Sequence, residues 1–337
     1  TGAFAAIDTG DPIPWPDPTS SNAAKLDDLL HASVNGRGGF FSASDPQTFV
    51  TELSNVLNTI GDRTSSSSAV AANSTKLQSS THLYQALFKS GDWSGQLKAF
   101  PLLADGSKGA EVWDAANGIP AHGLRNIKTW NGTTGTNFSG ALGTLTANQV
   151  NYLRGDDANE VANGGTFRNR TSKLGDIVNA DPHYVKDENF GYNILAGAEG
   201  SSYSTFLASK NSRTAIVYAG ANDGMLHAFR ASDGVERFAY VPNSVWTNLP
   251  LLTSPSYTHK YFVDGSPTAW DAYWGSSWKT VLVGSLGAGG KAVYALDVSN
   301  PDTFGNSNVL WEFTHADMGH AMGNVTLARF PDGKYWA

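Results

Sequence analysis

Apolar positions recur with a helical period near the start of the chain and with a strand period later. In NAAKLDDLLHASVNG, Leu26, Leu29, Leu30 and Ser33 fall on one helical face, and Gly36 marks the stop. A second helix is predicted from Asp45 as N-cap and Pro46 at the first helical position, with a stripe of Phe49, Val50, Leu53, Val56, Leu57 and Ile60 ending at Gly61. That stripe reads as a face packed on a sheet or neighbouring domain. Upstream, DTGDPIPWPDPTS (8–20) is an extended connector, because prolines fix the chain before any periodic pattern starts. Residues 62–80, DRTSSSSAVAANSTKLQSS, suit either a serine-rich linker or an exposed strand. From residue 81 the period drops to two. Leu83, Gln85, Leu87 and Lys89 alternate, Ser90-Gly91-Asp92 turn the chain, and Trp93, Gly95, Leu97 and Ala99 resume the pattern, which predicts a hairpin.

The strand pattern repeats. Stretches starting at Trp93, Asn222 and Gly289 share an order of glycine, alternating strand, Ala-aromatic or Ala-Leu, polar turn, and a strand carrying Trp or Phe. Ala99-Phe100, Ala228-Phe229 and Ala295-Leu296 occupy one slot, and Trp113, Phe238 and Trp311 close the units. YFVDGSPTAWDAYWG and KTVLVGSLG supply the inner strands of the third. Self-similar β units of this size predict a β-propeller, whose blades hold about four strands each. VYAGANDGMLHAFRASDGVERFAYVP (217–242) then reads as a blade segment with turns at Asp223-Gly224 and Asp233-Gly234, packed through Val217, Tyr218, Leu226, Ala228 and Phe229. A competing reading makes Asp223 a cofactor or metal ligand. His227, on the face opposite Leu226 and Ala228, is expected to be a solvated or hydrogen-bonded surface histidine.

Composition agrees with a mainly β fold: 36 Gly, 10 Trp, 12 Tyr and 16 Phe in 337 residues. The resulting division is a helical connector over 1–61 that follows a further N-terminal domain, a linker or strand over 62–80, and a propeller portion with insertions over 81–337. Only three units are clear, so the propeller is expected to be incomplete and the chain to continue past Ala337. A net charge of −7 with no basic run gives no footprint for nucleic acid. The absence of cysteine excludes thiolate zinc sites, disulfides and a cysteine nucleophile, and is compatible with export as well as with cytoplasm. No apolar run is long enough to predict a transmembrane segment.

Chemistry-bearing motifs are few. Arg154-Gly155-Asp156 is the tripeptide that integrin-type receptors recognise on exposed loops. The same residues also fit a helix end, with Thr146 and Gln149 as capping box and Gly155 as the left-handed residue after the last turn. Arg168, Arg170 and Lys173, ahead of Asp176 and Asp181, suit either an anion site or ionic tethers between a loop and the sheet. Histidine spacing gives no metal motif, and GSLGAGGK (284–291) lacks phosphate-loop spacing and reads as a hairpin turn. No catalytic residue, cofactor site or metal site is assigned.

The repeat grammar resembles the blades of quinoprotein dehydrogenases and their non-catalytic relatives. DLLHASVNGRGGFFSASDPQTF, SGDWSGQLKAFPL, YLRGD, FRNRTSKLGDIVNADPHYV, VYAGANDGMLHAF and KAVYALDVSNPD, in that order, resemble the PilY1/PilC family of type IV pilus tip-associated proteins. The matched part joins an N-terminal von Willebrand A-like domain to a C-terminal β-propeller. The resemblance implies an exported, non-enzymatic protein of the periplasm, outer membrane and pilus tip. Its implied partners are minor pilins and a host-cell or surface receptor, with roles in pilus assembly, retraction control and adhesion. It also implies a calcium loop, whose aspartate-rich pattern is not found in this sequence, so calcium is assigned to the part of the family propeller outside it. Two other functions remain open at this point: a quinone-cofactor dehydrogenase, disfavoured by the missing adjacent cysteine pair, and a periplasmic propeller scaffold.

Overall fold

A computed structural model describes residues 17–35, 70–72, 81–140 and 142–337. The chain divides into two units, Thr1–Thr64 and Ser65–Ala337. In the first, helix α1 spans Asn22–Asn35, and the Ser21 hydroxyl accepts a hydrogen bond from the Ala24 amide at its start. Ala24 and Leu30 are buried, whereas Leu26 and Leu29 are exposed, so the expected four-residue stripe is not buried as a whole. The helix expected over 45–61 lies outside the described residues.

The second unit is built on three sheets, each containing a four-stranded antiparallel meander. β1 (Val70–Ala72), β2 (His82–Lys89), β3 (Ser94–Pro101) and β4 (Trp113–Asp114) form the first, so residues 62–80 contain a paired strand. The second is the meander β7 (His183–Val185), β8 (Ile216–Ala221), β9 (Met225–Arg230) and β10 (Glu236–Val241). It is extended beyond β10 by β5 (Ile127–Trp130), which pairs in parallel, and β6 (Gly135–Asn137). The third runs β11 (Thr268–Trp274), β12 (Ser277–Ser285), β13 (Val293–Asp297) and β14 (Val309–Phe313). β15 (Ala328–Arg329) and β16 (Tyr335–Trp336) form a final hairpin. Helices α2 (Ala147–Leu153) and α3 (Gly197–Lys210) lie in the insertions.

The repeated residues occupy equivalent places in the three sheets. Ala99, Ala228 and Ala295 each sit on the third strand of a meander and pair directly with Trp113, Phe238 and Trp311 on the fourth. A small residue opposite a large aromatic leaves room for the ring to lie over the strand, which is why the sequence repeats both together. First strands approach one another, β1 with β7 and β7 with β11, while β14 approaches β5 and β6 at the other side. This is the side-by-side blade arrangement of a propeller, and the three sheets do not close a ring.

Packing follows from that stacking. One core between the first two sheets gathers Tyr84, Ala86, Leu97, Ala99, Trp113, Val217, Ala219 and Phe229. Another, between the second and third, includes Leu226, Phe238, Tyr240, Leu282, Tyr294 and Leu296. Within it Phe238 and Phe304 stack with ring centres 3.7 Å apart. At about 1.5–3 kcal/mol for each fully buried large apolar side chain, these interfaces dominate the stability of the unit. The covered faces of the strands follow from this stacking, and one sequence expectation changes. On β2 the buried face is Tyr84 and Ala86, and Leu83 and Leu87 are only half-buried, because Tyr84 pairs with Ala99 and Ala86 with Leu97 toward the second sheet. His227 is completely buried: β8 and β9 are covered on both faces, so the side opposite Leu226 and Ala228 meets the first sheet and not solvent.

Candidate functional site

Four segments converge on a narrow cleft. They are the β2–β3 turn with Asp92 and Trp93, the stretch 168–176, the Asn222-Asp223 turn between β8 and β9, and residues 252–259. Backbone hydrogen bonds fix them: Gly95 N donates to Leu174 O at 2.9 Å, Asn222 N to Asp176 O at 2.9 Å and Arg168 N to Thr253 O at 2.9 Å. Gly95 and Gly175 are required by this closeness, since a methyl group on Gly95 would overlap the Gly175 carbonyl. The cleft encloses about 30 Å³.

Aromatic and ionic contacts hold the rim. Trp93 has a left-handed backbone (φ 56°), which costs a non-glycine residue about 1–3 kcal/mol and persists only where its surroundings fix it. Its ring stacks on His259 with centroids 3.7 Å apart, and His259 Nε2 lies 2.7 Å from Asp176 Oδ2. The Asp176 carboxylate also accepts from Asn222 Nδ2 at 2.7 Å. Asp92 accepts from Ser94 and Thr171; burial alone would raise its pKa, but these hydrogen bonds hold it below the usual value. Arg168 lies over the Tyr257 ring and Arg170 over Tyr152, at 4.2 and 3.6 Å from the ring centres.

Behind the cleft runs a buried chain of charge. Asp223 Oδ2 accepts from the Gly175 amide at 3.0 Å and faces His227 Nε2 at 3.0 Å. His227 Nδ1 lies 2.8 Å from Glu236 Oε1, and Glu236 receives a two-pronged contact from Arg125, both at 2.7 Å. Burial alone would push the His227 pKa down, but the flanking carboxylates of Asp223 and Glu236 raise it to about 9. Likewise burial would raise Glu236, yet Arg125 and His227 hold it at about 2. Asp223 is held low, against burial, by His227, the Gly175 amide and Arg125. Two cations thus neutralise two anions, with Arg125, His227 and Glu236 essentially without solvent access and Asp223 at the cleft wall. This arrangement ties the Asp223 turn to β9, β10 and the segment before β5. Both Asp223 oxygens are engaged, Oδ1 also accepting from Met225 N, which gives this side chain a turn-fixing role. Among the described residues no group of three or more His, Cys, Asp or Glu is placed to hold a metal ion.

A second buried pair lies away from the cleft. Lys210, the last residue of α3, contacts Asp271 of β11 at 2.7 Å, and Tyr203 and Thr280 also donate to that carboxylate. Burial depresses the Lys210 pKa, with Asp271 opposing the shift. No motif spacing points to either network: Lys210 and Asp271 lie 61 residues apart, and Arg125 lies 111 residues from Glu236, although Asp223, His227 and Glu236 are neighbours in sequence. The signal present was a charged residue inside an apolar strand, His227 in MLHAF and Asp271 in TAWDAYW.

Arg154-Gly155-Asp156 sits at the end of α2. Thr146 and Gln149 form the reciprocal capping box, and Gly155 has φ 103°. The Arg154 guanidinium donates to the carbonyls of Phe138, Arg125 and His122 at 2.7, 2.8 and 2.9 Å. Gly155 is buried and Asp156 half-buried, its carboxylate accepting from Ala158 N at 3.2 Å. In the neighbouring cluster, Arg170 pairs with Glu160 at 2.8 Å, Lys173 reaches Pro120 O and the Asp181 amide donates to Ser266.

Residues 174–337 match the family model described as the PilY1 beta-propeller domain. The type IV pilus biogenesis factor PilY1 of Pseudomonas aeruginosa strain PAK is 34% identical over 379 residues, covering 100% of this chain and 32% of that protein. A PilY1 homolog of Xylella fastidiosa strain Temecula1 is 38% identical over 308 residues, covering 88% of this chain and 25% of its own. The solved C-terminal domain of P. aeruginosa PilY1 aligns with 45% of this chain and 30% of its own at 39% identity, with a TM-score of 0.37. The chain thus spans about a third of the length of these curated relatives. Its residues 174–337 belong to the PilY1 β-propeller domain family, and over its whole length it is related to the PilY1 type IV pilus biogenesis factors.

Proposed function

We propose that this chain serves type IV pilus biogenesis as a non-enzymatic protein of the cell surface. Its blades form a rigid scaffold whose loops contact minor pilins at the pilus tip and a surface or host-cell receptor. The observation that carries this reading is identity with PilY1 pilus biogenesis factors along the whole chain. The cleft geometry supports a scaffold: Asp92, Asp176 and Asp223 are engaged with neighbouring loops, so its ionisable groups fix the loops in place. The absence of cysteine suits an exported protein, and none of the described helices is long and apolar enough to cross a membrane. Deleting the gene in its source bacterium is expected to abolish or sharply reduce surface pili, with recovery when the gene is restored. Unchanged pilus numbers and twitching in the deletion strain would refute the proposal.

A further inference from the structure

Arg168 differs from the other charged groups around the cleft. Arg170 beside it is paired with Glu160, and Asp92, Asp176 and Asp223 are each hydrogen-bonded to neighbouring loops. Arg168 has no ion pair with any carboxylate among the described residues, and its Nε is buried without a hydrogen-bond partner. A buried donor left unpaired costs about 1–3 kcal/mol, more where the group is charged. The guanidinium carbon lies 4.2 Å from the centre of the Tyr257 ring, and the backbone on either side is pinned through Arg168 N to Thr253 O and Tyr152 Oη to Arg168 O. The side chain is therefore held against Tyr257 at the cleft wall, with an Nε that meets no protein acceptor.

We propose that Arg168 is the anchor of a binding site for an organic carboxylate. A planar two-oxygen acceptor matches the guanidinium fork. Asp92, Asp176 and Asp223 line the same cleft together with Arg168, Arg170 and Lys173. The remainder of the ligand lies toward the open mouth beside Trp93 and Tyr257.

The test uses the 337-residue chain with N-acetylated dipeptides, their C-terminal amides, and glucuronate, followed by titration calorimetry and by the Arg168 Nε–H signal in NMR. A free-carboxylate probe is expected to bind saturably and shift that signal, the amide not to, and Arg168→Gln to weaken binding tenfold or more. Arg168→Lys should recover only part of the affinity, because it restores charge without the fork. Binding of the peptide acid alone, or of glucuronate alone, supports the site and identifies the source of the carboxylate. Equal behaviour of acid and amide, or Arg168→Gln binding like the parent, would overturn the proposal. Should Arg168→Gln fail to fold, the acid-against-amide contrast and the Arg168 signal of the parent decide the matter.

Discussion

Replacing Glu236 by glutamine keeps the shape of the side chain and removes the charge on which Arg125 and His227 converge. Both cations are essentially without solvent access, Arg125 contacting Glu236 at 2.7 Å and His227 at 2.8 Å. Removing one member of such a buried group leaves the opposite charge uncompensated, at a cost of about 3–5 kcal/mol. For a unit the size of Ser65–Ala337, with an unfolding entropy of about 2 cal/mol/K per residue, this lowers the melting temperature by roughly 5–9 °C. Thermal unfolding followed by circular dichroism reads the effect directly. Arg230→Gln, which breaks the exposed Arg230–Asp233 pair, is the comparison, and should shift the midpoint by under about 2 °C. A Glu236→Gln protein that melts within 2 °C of the parent would refute the assignment of this network as an anchor of the fold.

Three further outcomes follow from the same geometry. His227 has a folded pKa raised from 6.5 to about 9, so its contribution is complete below pH 6.5 and declines as pH rises through about 9. Urea midpoints should fall over that interval in the parent, and a His227→Gln protein showing the same decline would assign it to another group. Gly95→Ala forces a methyl group into the Gly175 carbonyl and should cost about 1–3 kcal/mol in urea unfolding; an unchanged midpoint would show that the β2–β3 turn does not meet the 168–176 segment so closely. Lys210→Met should destabilise by about 3–5 kcal/mol, and adding Asp271→Leu should cost less than the sum of the two single changes even though Tyr203 and Thr280 then lose an acceptor, whereas simple addition of the two costs would contradict a buried ion pair.

The blades were legible because their repeat combines two local signals. The Asp223-Gly224 and Asp233-Gly234 turns bracket β9, and the alanine of each third strand pairs with the aromatic residue of the fourth. The capping box at Thr146 and Gln149 was equally local. What escaped the sequence depended on distant partners. His227 read as a surface residue because alternation tells which face a side chain occupies, not whether another sheet covers that face. On β2 both faces carry apolar residues, so alternation alone does not tell whether Leu83 or Tyr84 faces the core. In the 168–176 stretch the basic residues were visible, but which of them finds a carboxylate depends on Glu160 and on the cleft walls.

The central claim is that these blades belong to a protein acting on the type IV pilus. Immunogold labelling of sheared surface pili from the source bacterium, with antibody raised against this chain, tests it most directly. The account predicts gold concentrated at filament tips. Gold confined to the periplasm, with pili bare along their length and at their ends, would contradict it.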